Sequence, residues 1–316
     1  MAKPNIKITE FSDLLKSVGY YTRSQIELYN KFSRFGYYNQ YTTLVNTREY
    51  IFFTKPDLHL FEDGNTTKLN TEIANDPFFI DMLDRYNDVM KQLQMSNKEN
   101  KSPFINLLCN TVRGKIDLPT ISGTDVEGPS NIYGDDIPYR WTSDQSDNNH
   151  EFSLDFEDSK YLEVYMFFKI YDEYQRKKSK GIISPPDKNY IFNKILHDQF
   201  SAYKIIVGED GETIVFFAKL WGVYPKKVPR EAFSDLSDGE RLKFSVDFNA
   251  TFIEDSNPTI LSEFNILCRK FNSGSTLPIY NTDKRMINGD WASMPYVISS
   301  TNNAEGKKVY KLKWRK

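Results

Sequence analysis

Histidine and cysteine are scarce in this chain. Its 316 residues include three His (His59, His150, His197) and two Cys (Cys109, Cys268). Two widely separated cysteines exclude a disulfide scaffold and a Cys-based zinc module, and three scattered histidines exclude a His-rich metal centre. The cysteines read as buried free thiols. No segment approaches the roughly 18 uninterrupted apolar residues of a membrane-crossing helix. The opening Met1-Ala-Lys-Pro-Asn-Ile-Lys7 lacks the apolar stretch of a secretory signal. Charge of one sign is missing as well: 41 Lys and Arg against 43 Asp and Glu leave a net charge of -2. That balance argues against wrapping nucleic acid, which needs clustered basic charge to replace counterions. Glycine-rich phosphate loops, the GxSxG nucleophile elbow, HExxH, CxxC and EF-hand patterns do not occur. No cofactor, metal or catalytic residue is expected on these grounds.

Aromatic residues are plentiful, at 15% with 23 Phe and 20 Tyr. They supply the buried area that offsets chain entropy, so the chain is expected to fold. Tyr50–Thr54 and Asp57–Phe61 read as strand pieces around Pro56, which cannot donate to a ladder. Asp76 then offers an N-cap and Pro77 a first helical residue. Phe79, Leu83, Tyr86, Met90 and Leu93 follow as one apolar stripe at helical spacing. The polar run Ser96–Ser102 ends that helix and is taken as a domain boundary. The expected domains are an N-terminal α+β lobe (1–101), a β-rich domain (102–271) and a C-terminal extension (272–316).

The middle of the chain is polar. Val112–Leu118 looks extended, and Ser122–Asp136 is a loop or a long exposed hairpin. Its acidic stretch Gly123–Asp136 could hold a carboxylate pair, including Asp135 and Asp136, or a cation; a solvated loop is the simpler reading.

Clearer patterns follow. Phe152, Leu154 and Phe156 alternate with Ser153 and Asp155 as a half-buried strand. Asp158 or Ser159 caps a helix that is apolar on several sides, with Tyr165 and Phe168 among its aromatics. It ends at Arg176-Lys-Lys-Ser-Lys180 and Gly181, which suits a left-handed cap. Tyr190–Leu196 reads as a short helix. Ser201–Val207 and Glu212–Leu220 form a hairpin over Gly208-Glu-Asp-Gly211, leading into Trp221-Gly-Val-Tyr-Pro225. Leu242–Phe252 gives the strongest period-two signal: Leu242, Phe244, Val246, Phe248, Ala250 and Phe252 alternate with Lys243, Ser245, Asp247, Asn249 and Thr251. A helix is expected near Ser262–Phe271. In the tail, Tyr310, Leu312 and Trp314 alternate with basic residues.

Taken in order, strand Glu151–Phe156, the aromatic helix, the hairpin Ser201–Leu220, the turn Trp221–Pro225 and the long strand ending in Ile253-Glu-Asp255 resemble the tail tube proteins of contractile-tailed bacteriophages. That family includes the baseplate proteins that initiate the tube. The resemblance covers roughly 112–255 and implies an α+β chain whose antiparallel β-barrel segment, with a flanking helix, closes as part of a ring. It further implies a structural protein of the virion tail, assembled in the host cytoplasm, rather than an enzyme or a membrane protein. Its partners would be copies of itself, hexameric by resemblance, adjacent tube, baseplate or sheath proteins, and DNA in transit. Interface candidates are Gly123, Asp125, Tyr133, Asp135, Tyr165, Phe168, Trp221, Tyr224 and Pro225. Lys243, Ser245, Asp247, Asn249 and Thr251 would face a water-filled lumen, with Phe244, Val246, Phe248 and Phe252 under the helix layer. Two other readings compete: a carboxylate-based, carbohydrate-active enzyme using Asp135 and Asp136, and a nucleic-acid module using Arg176–Lys180 and Lys307–Lys316.

Overall fold

Alternation of apolar and polar residues builds most of the architecture. The computed structural model describes residues 47–62, 67–95, 102–119, 122–127, 138–144, 150–183, 198–228, 242–270, 286–287, 290–291, 294–301 and 308–315. The chain divides after Thr47 into two units, and the elements below belong to the second, Arg48–Lys316.

The strands are β1 (Arg48–Phe53), β2 (Val112–Arg113), β3 (Ser122–Glu127), β4 (Pro138–Asp144), β5 (His150–Glu157), β6 (Phe200–Val207), β7 (Ile214–Pro225), β8 (Lys243–Ala250) and β9 (Phe252–Asp255), followed by the short β10 (Met286–Ile287) and β11 (Asp290–Trp291), then β12 (Met294–Thr301) and β13 (Lys308–Arg315). The helices are α1 (Pro77–Met90), α2 (Asn106–Thr111), α3 (Glu163–Ser179) and α4 (Pro258–Lys270).

Seven strands form one antiparallel sheet in the order β1-β6-β7-β8-β5-β2, with β9 also paired to β7. The two ends of that order meet. Just beyond β2, the Ile116 N–H donates to Glu49 Oε1 on β1 (2.9 Å), and Lys204 of β6 bonds the Ile116 carbonyl and pairs with Glu49 at 3.2 Å. The sheet therefore curls into a nearly closed barrel, and the chain is α+β. β1, which the sequence places in the N-terminal lobe, is a full member of this sheet: Arg48–Phe53 runs against Val207–Ala202.

The core fills the inside of the curl. Phe152, Leu154 and Phe156 of β5 face Phe248, Val246 and Phe244 of β8 across the ladder. Phe248 touches Phe53, Phe152, Phe156 and Phe168. Burying such a ring removes it from water and stabilises by about 1.5–3 kcal/mol.

Helix α3 covers this core from one side. Its N-terminus begins after Leu162, which takes a left-handed conformation (φ 58°). Asp158 supplies the cap, its carboxylate accepting from the N–H groups of Ser159, Val164 and Tyr165. At the other end Gly181 adopts φ 71°, and Ile182 N–H reaches back to the Lys177 carbonyl, the expected C-terminal cap. α1 packs on α3 and starts as the sequence indicates, with Asp76 accepting from Phe78 N–H (3.0 Å) and Pro77 in the first turn. It kinks at Tyr86. Phe79, Met90 and Leu93 are buried from the expected stripe, joined by Met82 and Val89.

The opposite face of β1, β6 and β7 is covered by α4 and by the hairpin β12–β13. Phe264 packs on Phe52 and Tyr203, Tyr310 on Phe217, and Trp314 on Tyr50 and Phe52. The Asn265 side chain holds β12 by accepting from and donating to the Val297 backbone.

Three local expectations change. Asp57–Phe61 makes only isolated bridges, at Asp57 and Phe61. The extended run after Val112 contributes just two ladder residues, and helix α2 precedes it. Phe252 is 43% exposed instead of lying under the helix layer. The cause is a pair of facing irregularities. β7 gains a residue against β6 between Leu220 and Val223, where Gly222 takes φ 61°, and β8 bends into β9 at Thr251. Leu220 with Val223, and Ala250 with Ile253, then share the core side, while Phe252 turns outward opposite Trp221. Only glycine serves at 222, because a Cβ there would lie 2.5 Å from Thr251 Oγ1. The expected helix Tyr190–Leu196 lies outside the described residues.

Candidate functional site

The outer face of β5 and β8 presents what the inner face excludes. The ladder pairs Glu151 with Asn249, Ser153 with Asp247, Asp155 with Ser245, and Glu157 with Lys243. Every one of these side chains is polar, and the positions alternate strictly with the core phenylalanines up to Phe248. Ser245 donates to Asp155, Arg113 Nε donates to Glu157 Oε2 at 3.0 Å, and Lys226 bonds Glu151. The Lys226 ammonium holds the Glu151 carboxyl below the usual carboxylate range. Four acids (Glu151, Asp155, Glu157, Asp247) thus share the face with three bases (Arg113, Lys226, Lys243), so it is richly polar but nearly balanced in charge.

Of the residues expected to face a lumen, Lys243, Ser245 and Asp247 are exposed on this face, and Thr251 is exposed at the bend. Asn249 is a correction. It is 4% exposed because Tyr224, its partner across the ladder, lies over it and accepts from Asn249 Nδ2 at 2.7 Å.

The interface candidates separate in the same way. Phe168 is fully buried against Phe156 and Phe248, inside the chain's own core, so it is not a surface residue. Tyr165 is half-buried on α3. Trp221, Tyr224 and Pro225 are half-buried at the end of β7. The Lys219 ammonium stands on the Trp221 ring and binds Glu263 Oε2 of α4 at 2.7 Å. Burial pulls the Lys219 pKa down against the pull of Glu263. Gly123 and Asp125 lie on β3, in register with Ser143 and Arg140 of β4. Among the described strands, β3 and β4 pair only with each other. Tyr133 and Asp135, together with Asp136, lie outside the described residues.

The basic run at the end of α3 is spent internally. Arg176 pairs with Glu173, Lys177 with Asp76 and Glu173, and Lys178 with Asp198. In the tail, Tyr310 and Trp314 pack inward, Leu312 is buried, and Lys313 pairs with Glu212. Lys180 and Lys308 stay exposed, and Lys307 and Lys316 lie outside the described residues. Among the described residues, no three His, Cys, Asp or Glu converge as metal ligands, and no helix is long and apolar enough to cross a membrane.

Sequence reasoning missed one feature: a cleft of about 380 Å³ between the C-terminal half of α3, residues 198–199 and the end of β7. Tyr171 and Tyr224 were visible as aromatics, but the contact between a helix and a strand end fifty residues later carries no local pattern.

Comparison with known proteins adds two distant likenesses. One is to the cryo-EM structure of the anti-feeding prophage tube-terminating cap, at 8% identity and a TM-score of 0.27, covering 46% of this chain and 79% of that one. The other is to the sheath/tube terminator of an extracellular contractile injection system (PVC) in its extended state, at 10% identity and a TM-score of 0.25, covering 47% and 84%. No protein-family model matches the chain, and no curated protein matches it.

Proposed function

We propose that the chain is a structural subunit of a contractile tail, built into the tube or the baseplate end of it, where copies form rings around a channel for DNA. The observation that carries this reading is the outer face of β5 and β8. The outer face of these two strands is polar and almost charge-balanced, and it is exposed at Glu151, Ser153, Asp155, Lys243, Ser245 and Asp247, while the same strands bury a phenylalanine core on their other side. A wall past which DNA slides should be wet and should hold little net positive charge, since clustered cations would retain phosphate. The described part of the β3–β4 ribbon supports the same reading. A two-stranded ribbon alone is marginally stable in water, and in this reading it packs on a neighbouring subunit.

In this reading Gly123, Asp125, Tyr133, Asp135, Tyr165, Trp221, Tyr224 and Pro225 contact neighbours, and Lys243, Ser245, Asp247 and Thr251 line the channel. Arg48–Phe53 belongs to the barrel sheet itself, and the β12–β13 hairpin of the 272–316 extension covers the outside of β1 and β7 in the same subunit. The function is assembly, and the chain performs no chemistry of its own.

The test is assembly of purified protein, alone and with its tail partners, followed by light scattering and negative-stain class averages. Rings or stacked tubes with a central hole are expected. A strictly monomeric protein under all these conditions would overturn the reading.

A further inference from the structure

The cleft beside α3 adjoins the proposed contact surface and shares Tyr224 and Pro225 with it. Its walls are Tyr171, Asp172, Gln175 and Lys178 from α3, Asp198 and Gln199 before β6, and Tyr224 to Val228 at the end of β7. Its volume of about 380 Å³ lies in the range of small-ligand sites, roughly 300–1,000 Å³.

Its charges cancel within the protein. Lys178 is tied to Asp198, with both side chains largely buried, and Lys226 is tied to Glu151 on the outer sheet face. Asp172 and Lys227 are exposed, and each is offset by a neighbour outside the cleft, Asp172 by Arg176 and Lys227 by Glu151. The lining therefore selects no ion. What it offers is a close mixture of donors and acceptors on planar groups. The Gln175 amide is bonded to the Tyr171 hydroxyl and keeps one N–H and its carbonyl oxygen for a ligand, and the Gln199 amide both donates and accepts. Tyr224 already accepts from Asn249, so its own O–H remains to donate. The Tyr171 hydroxyl is committed to the Asp198 carbonyl at 2.9 Å, which leaves its ring as wall.

A neutral ligand whose groups donate and accept side by side satisfies such a lining, and vicinal hydroxyls do so. We propose that this cleft binds a short neutral saccharide, with Gln175 and Asp172 on one wall, Lys227 at the rim and Tyr224 donating from the other wall. The proposal concerns binding without cleavage; in the ring reading a neighbouring subunit and the saccharide would compete for Tyr224 and Pro225.

The test uses the full-length protein and a panel of maltose, cellobiose, lactose and chitobiose at millimolar concentration, read by saturation-transfer NMR and calorimetry. Inorganic phosphate and free glutamate are run in parallel. The expected result is binding of at least one disaccharide, unchanged by added salt, and weakened about tenfold or more by Asp172→Asn and by Gln175→Ala. Asp172 is exposed on α3, so the fold should tolerate its change; Gln175 is half-buried against Tyr171, so Asp172→Asn is the variant in which the thermal midpoint must hold. Absence of binding to the whole panel overturns the proposal. So does binding that Asp172→Asn and Gln175→Ala leave intact, or preferential, salt-sensitive binding of phosphate or glutamate. If the same variants instead abolish self-association with no saccharide signal, the cleft seats a neighbouring polypeptide and the proposal fails on that outcome.

Discussion

The two faces of the β5–β8 ladder share a backbone and differ in everything else. One side carries Phe152, Leu154, Phe156, Phe244, Val246 and Phe248, all buried. The other carries Glu151, Ser153, Asp155, Glu157, Lys243, Ser245 and Asp247, and is polar throughout. Because side chains alternate along a strand, a slip of one residue would exchange the two sets and place seven polar groups in the core. Register is thus tightly specified, and the outer face is free to be selected for something other than stability. Substitutions at adjacent positions should have very different effects.

The largest effect should come from Phe248, which touches four aromatic side chains across the curl. Phe248→Ala should cost about 3–5 kcal/mol in urea unfolding, from lost burial plus the cavity left behind. Phe248→Asp should yield no soluble folded protein, since a carboxylate there has no counter-charge. Soluble, cooperatively unfolding Phe248→Asp protein would mean that the curl is not closed around this ring.

Asn249, next in sequence, sharpens where the comparison stops holding. Alternation assigns it to the outer face, and the structure does too, yet Tyr224 seals it off. Asn249→Phe should therefore cost about 1–3 kcal/mol through overpacking and the loss of the Tyr224 hydrogen bond. A neutral result would show that Tyr224 lifts away readily. Gly222→Ala should cost a similar 1–3 kcal/mol, because it forces a side chain into a left-handed conformation and against Thr251. Pairing it with Thr251→Gly should recover part of the loss.

These two positions also mark what was legible in the sequence. Strands β5 to β8, the cap at Asp76, the Gly181 terminus and the hairpin over Gly208–Gly211 all follow from period and turn chemistry, which are local. The curl of the sheet, the membership of β1 and the outward turn of Phe252 do not, because they depend on pairings between residues over a hundred positions apart or on two bulges facing each other. The outer polar face was readable as a set of residues; the burial of Asn249 and Phe168 was not, since each is covered by a distant element.

A buried lysine adds a pH test. Lys55, just after β1, is 5% exposed, and burial brings its pKa down from 10.5 to about 7. Lys219 is shifted in the same direction. A folded pKa below the unfolded one means that the unfolded chain binds more protons between the two values, so stability rises with pH across that window. Unfolding free energy should climb as pH goes from about 7 toward 10.5, and Lys55→Met should flatten most of the climb. A flat profile across that window would indicate that Lys55 stays charged in the fold.

The smallest effect belongs to Asp247, and it is the most informative about the face as a whole. Asp247 sits one position from Phe248 on the same strand, exposed and paired across the ladder with Ser153. Its carboxylate leaves water little on folding, so removing it forfeits neither burial nor a hydrogen bond that shapes the sheet. Asp247→Ala should change the unfolding free energy of the isolated protein by no more than about 0.5 kcal/mol, as is usual for surface positions. Side by side with Phe248→Ala, that is close to a tenfold difference in cost between neighbours. A cost above about 2 kcal/mol in a protein shown to be monomeric would mean that another part of the chain packs on the outer face. The face would then be a second core, and it could not be the wall of a channel.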